Sequence, residues 1–159
     1  MEVDGRELRN ALGRFATGVC LVTARREGGQ ALALTANSFS SVSLDPPLVL
    51  WSLQNNSEVF PVYSGALSFA INVLAHDQQE LSSRYARKGN HILEAKHFTS
   101  GGKSGAPLIN GALVSFECSL YATYPGGDHL IIVGRVEAVH TDPDRDPLLF
   151  YGGAYRALI

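Results

Sequence analysis

The feature that most restricts the fold lies in residues 112–140, where two long runs of alternating apolar and polar side chains flank Pro125-Gly126-Gly127-Asp128. Alternation with period two marks strands with one buried face, and a glycine-rich turn between two such runs marks a β-hairpin. An antiparallel sheet must therefore be the backbone of this protein.

The remaining segments agree with that reading. Residues 19–24 and 31–35 are β-branched and apolar around Gly28-Gly29, which predicts a second hairpin. Residues 48–51, launched by Pro46-Pro47, and residues 67–74 add further strands, and residues 148–151 end the β content. Helical spacing is brief. Asp4 and Glu7 resemble a capping pair ahead of Leu8, Leu12 and Phe15, with Gly18 as the stop, and Asp77 with Glu80 predicts a helix over 77–87. Residues 91–107 lack periodicity and carry Gly101, Gly102 and Gly105, which predicts a surface excursion. About six strands with a few short helices, and no regular strand–helix alternation, predict a closed or nearly closed antiparallel barrel and not a parallel doubly wound sheet.

Composition narrows the function. A chain of 159 residues, 45% hydrophobic and 18% charged, suits one domain over residues 1–159 that needs no metal or disulfide to fold. It is too short for a dinucleotide-binding domain followed by a substrate domain. Thirteen Lys and Arg against fifteen Asp and Glu give a net charge of −2, without the basic tract that follows phosphates along a nucleic acid. No apolar run is long enough to span a membrane and the first residues lack a signal peptide's pattern, so a cytoplasmic protein is expected. Cys20 and Cys118 sit in apolar runs and read as buried thiols, while the five histidines show no metal-ligand spacing.

Hydrolytic and phosphate-loop signatures are absent, so a bound small molecule must supply most of the chemistry. The stretch from Thr35 to Ser43 is unusually dense in hydroxyl and amide groups. Such groups can hydrogen-bond the rim of a planar heterocycle whose faces are covered by aromatics such as Phe39 and Trp51. A hydroxyl-rich strand edge with local side-chain-to-backbone bonds is the alternative.

Thr17-Gly18-Val19 and Thr35-Ala36-Asn37-Ser38-Phe39-Ser40-Ser41-Val42-Ser43-Leu44-Asp45-Pro46-Pro47 resemble the opening of the short-chain flavin reductases of two-component monooxygenases. Phe69-Ala70-Ile71-Asn72-Val73-Leu74 and Leu81-Ser82-Ser83-Arg84-Tyr85 match the middle of that family, and Gly127-Asp128-His129 and Pro147-Leu148-Leu149-Phe150-Tyr151-Gly152-Gly153-Ala154-Tyr155 match its end. The resemblance covers nearly the whole chain. It implies a flavin-binding split β-barrel, mainly antiparallel and Greek-key-like, that forms a homodimer. It also implies an activity in which NADH or NADPH reduces FMN or FAD, with reduced flavin passed to a separate monooxygenase.

Carried over by position, Thr35, Ala36, Asn37, Ser38, Phe39, Ser41 and Val42 would border the isoalloxazine ring. Ser52, Asn56 and Ser57 would face the ribityl chain or phosphate, with Ser57 also a helix cap, and Arg84 would clamp the phosphate. His129 would be the catalytic-site residue, bonding the nicotinamide carboxamide or the flavin, while Tyr151, Gly152, Gly153 and Tyr155 would form the nicotinamide side. Asp128 would hold the turn. Two other readings use the same barrel: a flavin carrier without turnover, and an oxidase that keeps a tight FMN, as the pyridoxamine-phosphate oxidases do.

Overall fold

The computed structural model describes residues 2–159. Helix α1, Gly5–Leu12, starts where the Asp4 carboxylate accepts a hydrogen bond from the Arg6 amide at 2.9 Å, satisfying one of the free N–H groups of the first turn. It stops at Gly13, not Gly18, and buries none of its residues, so the apolar face of Leu8 and Leu12 is left open on the single chain.

Twelve strands follow: β1 Thr17–Gly18, β2 Cys20–Arg25, β3 Ala31–Ala36, β4 Ser40–Leu44, β5 Pro47–Gln54, β6 Ser68–Val73, β7 Phe98–Ser100, β8 Pro107–Ile109, β9 Val114–Gly126, β10 His129–Thr141, β11 Leu149–Tyr151 and β12 Ala154–Arg156. Helices α2, Phe60–Ser64, and α3, Gln79–Ala86, interrupt them. Seven strands make one antiparallel sheet in the order β3-β2-β6-β9-β10-β5-β4, flanked by the sets β1-β11-β12 and β7-β8.

That order dictates curvature. Strands β3 and β4 are the two edges of the seven-stranded sheet, yet only Asn37, Ser38 and Phe39 separate them in sequence. Six strand spacings of about 4.8 Å would hold the edges of a flat sheet roughly 29 Å apart, whereas so short a link reaches no more than about 14 Å. The sheet must curl until its edges face each other. The edges do not pair, so the barrel is split, not closed, and residues 37–39 bridge the slit.

Two apolar clusters support it. Val22, Trp51, Leu53, Phe69, Ile71, Cys118 and Ile132 fill the barrel, while Leu21, Ala33, Leu74, Tyr85, Leu93, Ile109 and Leu148 pack between the sheet and its outer layer. Successive residues of β2 enter opposite clusters, so its run is apolar on both faces. Both cysteines are buried and free, with burial pushing each thiol up to about 12.

Several sequence expectations change. The principal hairpin is tighter than its four-residue turn suggested: β9 and β10 pair through Gly126 and His129, leaving Gly127 and Asp128 as the turn, with Gly127 at φ +67°. Residues 40–44 form an edge strand with Val42 at a register shift, because β5 offers a free edge to pair with. Asp77 does not cap α3; its carboxylate takes the Arg145 guanidinium, and Gln78 is the N-cap. Nor does Ser57 cap α2, whose N-cap is Val59; the Ser57 hydroxyl accepts locally from the Val59 amide at 3.4 Å.

The excursion at 91–107 is anchored. It contains β7, paired with β8, and its glycine-rich tip wraps the buried Glu117 carboxylate. Oε1 of Glu117 accepts from the Lys103 amide at 3.1 Å, the Ser104 amide at 2.9 Å and the Ser104 hydroxyl at 2.8 Å, and Oε2 lies 2.7 Å from His140 Nε2. A Cβ on Gly101 would fall 2.1 Å from Oε1, so a side chain there would have to displace the Glu117 carboxylate from these bonds.

Candidate functional site

Three cavities meet at the slit, and Asn37 lines all of them. The first, about 260 Å³, is polar and is bordered by residues 34–38 of one sheet edge, by Ser52, Gln54 and Ser57 across the slit, and by His129. A second, about 200 Å³, runs between β3 and α3 and is walled by Val19, Ser82, Ala86, Phe150 and Tyr155. The third, about 580 Å³, opens between the end of α1 and the β11–β12 hairpin, with Gly152 and Gly153 in its wall.

The structure thus gathers Thr35, Ala36, Asn37, Ser38, Ser52, Ser57, His129, Gly152, Gly153 and Tyr155 around one trough. It does not bring every expected residue there. Phe39 turns its ring into the barrel and stacks on Phe116 at 5.6 Å, and Trp51 is buried between Tyr63 and Phe69, so neither offers a face to a ligand. Ser41, Val42 and Asn56 are exposed outside the cavity walls. The Tyr151 ring is covered by the guanidiniums of Arg14 and Arg156 at 5.5 and 5.9 Å. Arg84 lies on the opposite side of α3 from Ser82 and Ala86. Its Nη2 is 2.5 Å from Glu94 Oε1, a bond that holds the Glu94 carboxyl below its usual range.

Hydrogen-bond accounting separates ligand-facing groups from structural ones. The Thr35 hydroxyl donates to the Ser82 carbonyl at 2.7 Å, and Ser38 is fully engaged with the Ser52 backbone. The hydroxyl-rich stretch is therefore partly a set of local braces, as its alternative reading held. The Asn37 amide, the Ser52 hydroxyl and the Gln54 amide make no side-chain hydrogen bond among the described residues, and all three line the polar cavity.

His129 starts β10 opposite Gln54, a residue that sequence reading passed over and that only the hairpin register could have revealed. Its Nδ1 lies 2.6 Å from Asp128 Oδ1, and that hydrogen bond holds the Asp128 carboxyl below its usual range. Asp128 does hold the turn, through its carbonyl, which accepts from the Asn55 amide at 2.9 Å. Phe150 was also overlooked as a site residue. It packs edge-on against Tyr155 at 5.4 Å, and the Tyr155 hydroxyl is fixed by Ser82 Oγ at 2.7 Å. These two rings supply the aromatic wall that Phe39 and Trp51 do not.

A trough with free amide and hydroxyl groups on one arm, an aromatic wall on another and a shared residue between them can hold two flat ring systems against each other. Comparison with known proteins gives the family. The chain is 48% identical to the NADH-dependent FMN reductase SmoA of Agrobacterium fabrum over 96% of its own length and 85% of that protein's. It is 37% identical to the reductase component of 4-hydroxyphenylacetate 3-monooxygenase of Thermus thermophilus, covering 95% of each. Superposition on the NADH:FAD oxidoreductase SgcE6 of Streptomyces globisporus, solved with NAD and FAD fragments, gives a TM-score of 0.92 at 35% identity over 100% of this chain and 97% of that one. The profile of the flavin reductase like domain matches residues 12–158, and the chain belongs to that family.

Proposed function

We propose that this protein is an NAD(P)H-dependent flavin reductase: it transfers hydride from a reduced nicotinamide to FMN or FAD and supplies the reduced flavin to a separate monooxygenase. The observation that carries this reading is the position of Asn37, common to the polar arm and the aromatic arm of one trough. Both reacting rings belong to the ligands, which bring the hydride donor and its acceptor; the chain's task is alignment and charge stabilisation.

Each part of that task has residues. Backbone groups of residues 35–38, together with the Asn37, Ser52 and Gln54 side chains, hold the flavin rim. His129, whose ring is held by Asp128 through Nδ1, lines the polar arm, where an imidazole can hydrogen-bond a bound ring. Phe150 and Tyr155 form an apolar wall that excludes water beside the reacting rings. Ser57 stays a candidate for the ribityl or phosphate end, and Arg84 reaches a phosphate only by leaving Glu94. The protein works as a homodimer in the cytoplasm; among the described residues no helix is long and apolar enough to cross a membrane.

Mixing the protein with NADH or NADPH and excess FMN or FAD, and following the loss of nicotinamide absorbance, tests the reading. Turnover well above the uncatalysed rate is expected. Rates equal to the blank with every pair would leave a flavin carrier, and stoichiometric FMN surviving dialysis would point to an oxidase.

A further inference from the structure

The 580 Å³ cavity between α1 and the β11–β12 hairpin is more than twice the 260 Å³ of the polar arm, and it continues the trough past Asn37. Such a volume falls inside the range of roughly 300–1,000 Å³ that small-molecule sites occupy. Its walls are formed and joined, since the Gly152 amide donates to the Gly13 carbonyl at 2.9 Å. Leu12, Phe15 and Phe150 make them largely apolar, Asn10 and Thr17 add polar atoms, and Arg9 is the one charged residue in the lining. Other arginines nearby are occupied: Arg14 and Arg156 lie over Tyr151. The Arg9 guanidinium has no carboxylate or aromatic partner among the described residues.

We propose that Arg9 binds the diphosphate of the dinucleotide donor and so selects a dinucleotide over a bare dihydronicotinamide. The assignment rests on the flavin reductase reading and deepens it. A nicotinamide lying against a flavin at Asn37 leaves the rest of its molecule to be housed, and this cavity is the roomy continuation of the trough. The diphosphate is anionic there, and the C-terminal end of α1, marked by Gly13 in the wall, carries the negative end of the helix dipole. Backbone alone therefore disfavours the anion, and a cation must compensate. Arg9 does so, while Leu12, Phe15 and Phe150 offer apolar surface to the adenosine end.

The test compares wild type with Arg9→Ala and Arg9→Lys, using riboflavin as acceptor so that no flavin phosphate is present. Two donors are used: NADH, and 1-benzyl-1,4-dihydronicotinamide, which has the reactive ring without the diphosphate. Equilibrium binding of NADH is measured alongside by its fluorescence. In Arg9→Ala the KM and Kd for NADH should rise about tenfold relative to any change with the benzyl donor, with kcat nearly unchanged and partial recovery in Arg9→Lys. Equal penalties for both donors, or no penalty for NADH, overturn the assignment, as does an effect that appears only when FMN or FAD replaces riboflavin. A wild type that binds NADH through Arg9 yet turns over neither donor would leave Arg9 standing and sink the reductase reading.

Discussion

Ser38, in the link that bridges the slit of the barrel, is joined twice to Ser52 of β5: its hydroxyl accepts from the Ser52 amide at 2.9 Å and donates to the Ser52 carbonyl at 3.3 Å. Backbone pairing of β4 with β5 runs as far as Ser40 opposite Leu50, so two further positions along the ladder would set residue 38 against Ser52. A side chain makes there the two bonds that a strand backbone would have made. The link between the sheet edges is thereby held in one place.

Removing that brace should loosen the link without unfolding the barrel. Ser38→Ala is expected to cost about 1 kcal/mol of stability and to weaken flavin binding severalfold, while Ser38→Thr keeps the hydroxyl and most of the affinity. Flavin titration by fluorescence quenching, beside thermal melts, reads both quantities. Unchanged affinity in the alanine variant would mean that the link is rigid without its brace.

Asn37 and Arg84 differ in what they are already doing. The Asn37 amide is free in the trough, whereas the Arg84 guanidinium is committed to Glu94. Asn37→Ala should therefore raise the Kd for FMN about fivefold or more, and Arg84→Ala should raise it less, because breaking the Glu94 pair offsets part of any phosphate contact. A larger loss in Arg84→Ala, absent when riboflavin replaces FMN, would establish Arg84 as the main phosphate ligand.

How far the sequence showed this arrangement follows from what each signal depends on. Period-two alternation and the turn at Gly127 are local, so the hairpin of β9 and β10 was legible, and helix α1 was announced by Asp4. The split barrel was legible only through the family resemblance and not from residue pattern, because the slit arises from β3 and β4 ending on opposite edges of one sheet, a fact of pairing and not of composition. For the same reason the stretch 35–43 was recognised as a site, but only the structure shows Thr35 and Ser38 spending their hydroxyls on Ser82 and Ser52 and leaving Asn37 free. Gln54 carries no motif and enters the site through register, and Phe150, although inside the matched end of the chain, shows its place in the site only through tertiary contact.

Acid should weaken the protein through Glu117. Burial acts to raise its carboxyl pKa, but hydrogen bonds from His140, Ser104 and Lys103 outweigh burial and lower it from 4.5 to about 2. A depressed carboxyl stabilises the fold above its unfolded value, and that contribution fades as pH falls from about 4.5 toward 2. Near neutral pH it amounts to roughly 3 kcal/mol at most, lost in Glu117→Gln. Urea melts across pH should show wild type and variant separated at pH 7 and converging in acid. Parallel curves would mean that the carboxylate does not drive the acid transition.

The exposed apolar surface argues for a second copy. Leu44 is 97% exposed on edge strand β4 beside Val42 at 47%. An unpaired strand edge with apolar side chains is a liability in a monomer and a natural contact in a symmetric dimer. Sedimentation should therefore give twice the chain mass of 17.1 kDa, and Leu44→Lys should shift the population toward monomer. If the partner copy also completes the trough, the monomeric variant should lose flavin reduction in step with its dimer fraction and recover it at high protein concentration. A wild type that sediments at the mass of one chain would remove the dimer from the account, and the trough would then have to work with the walls of a single barrel.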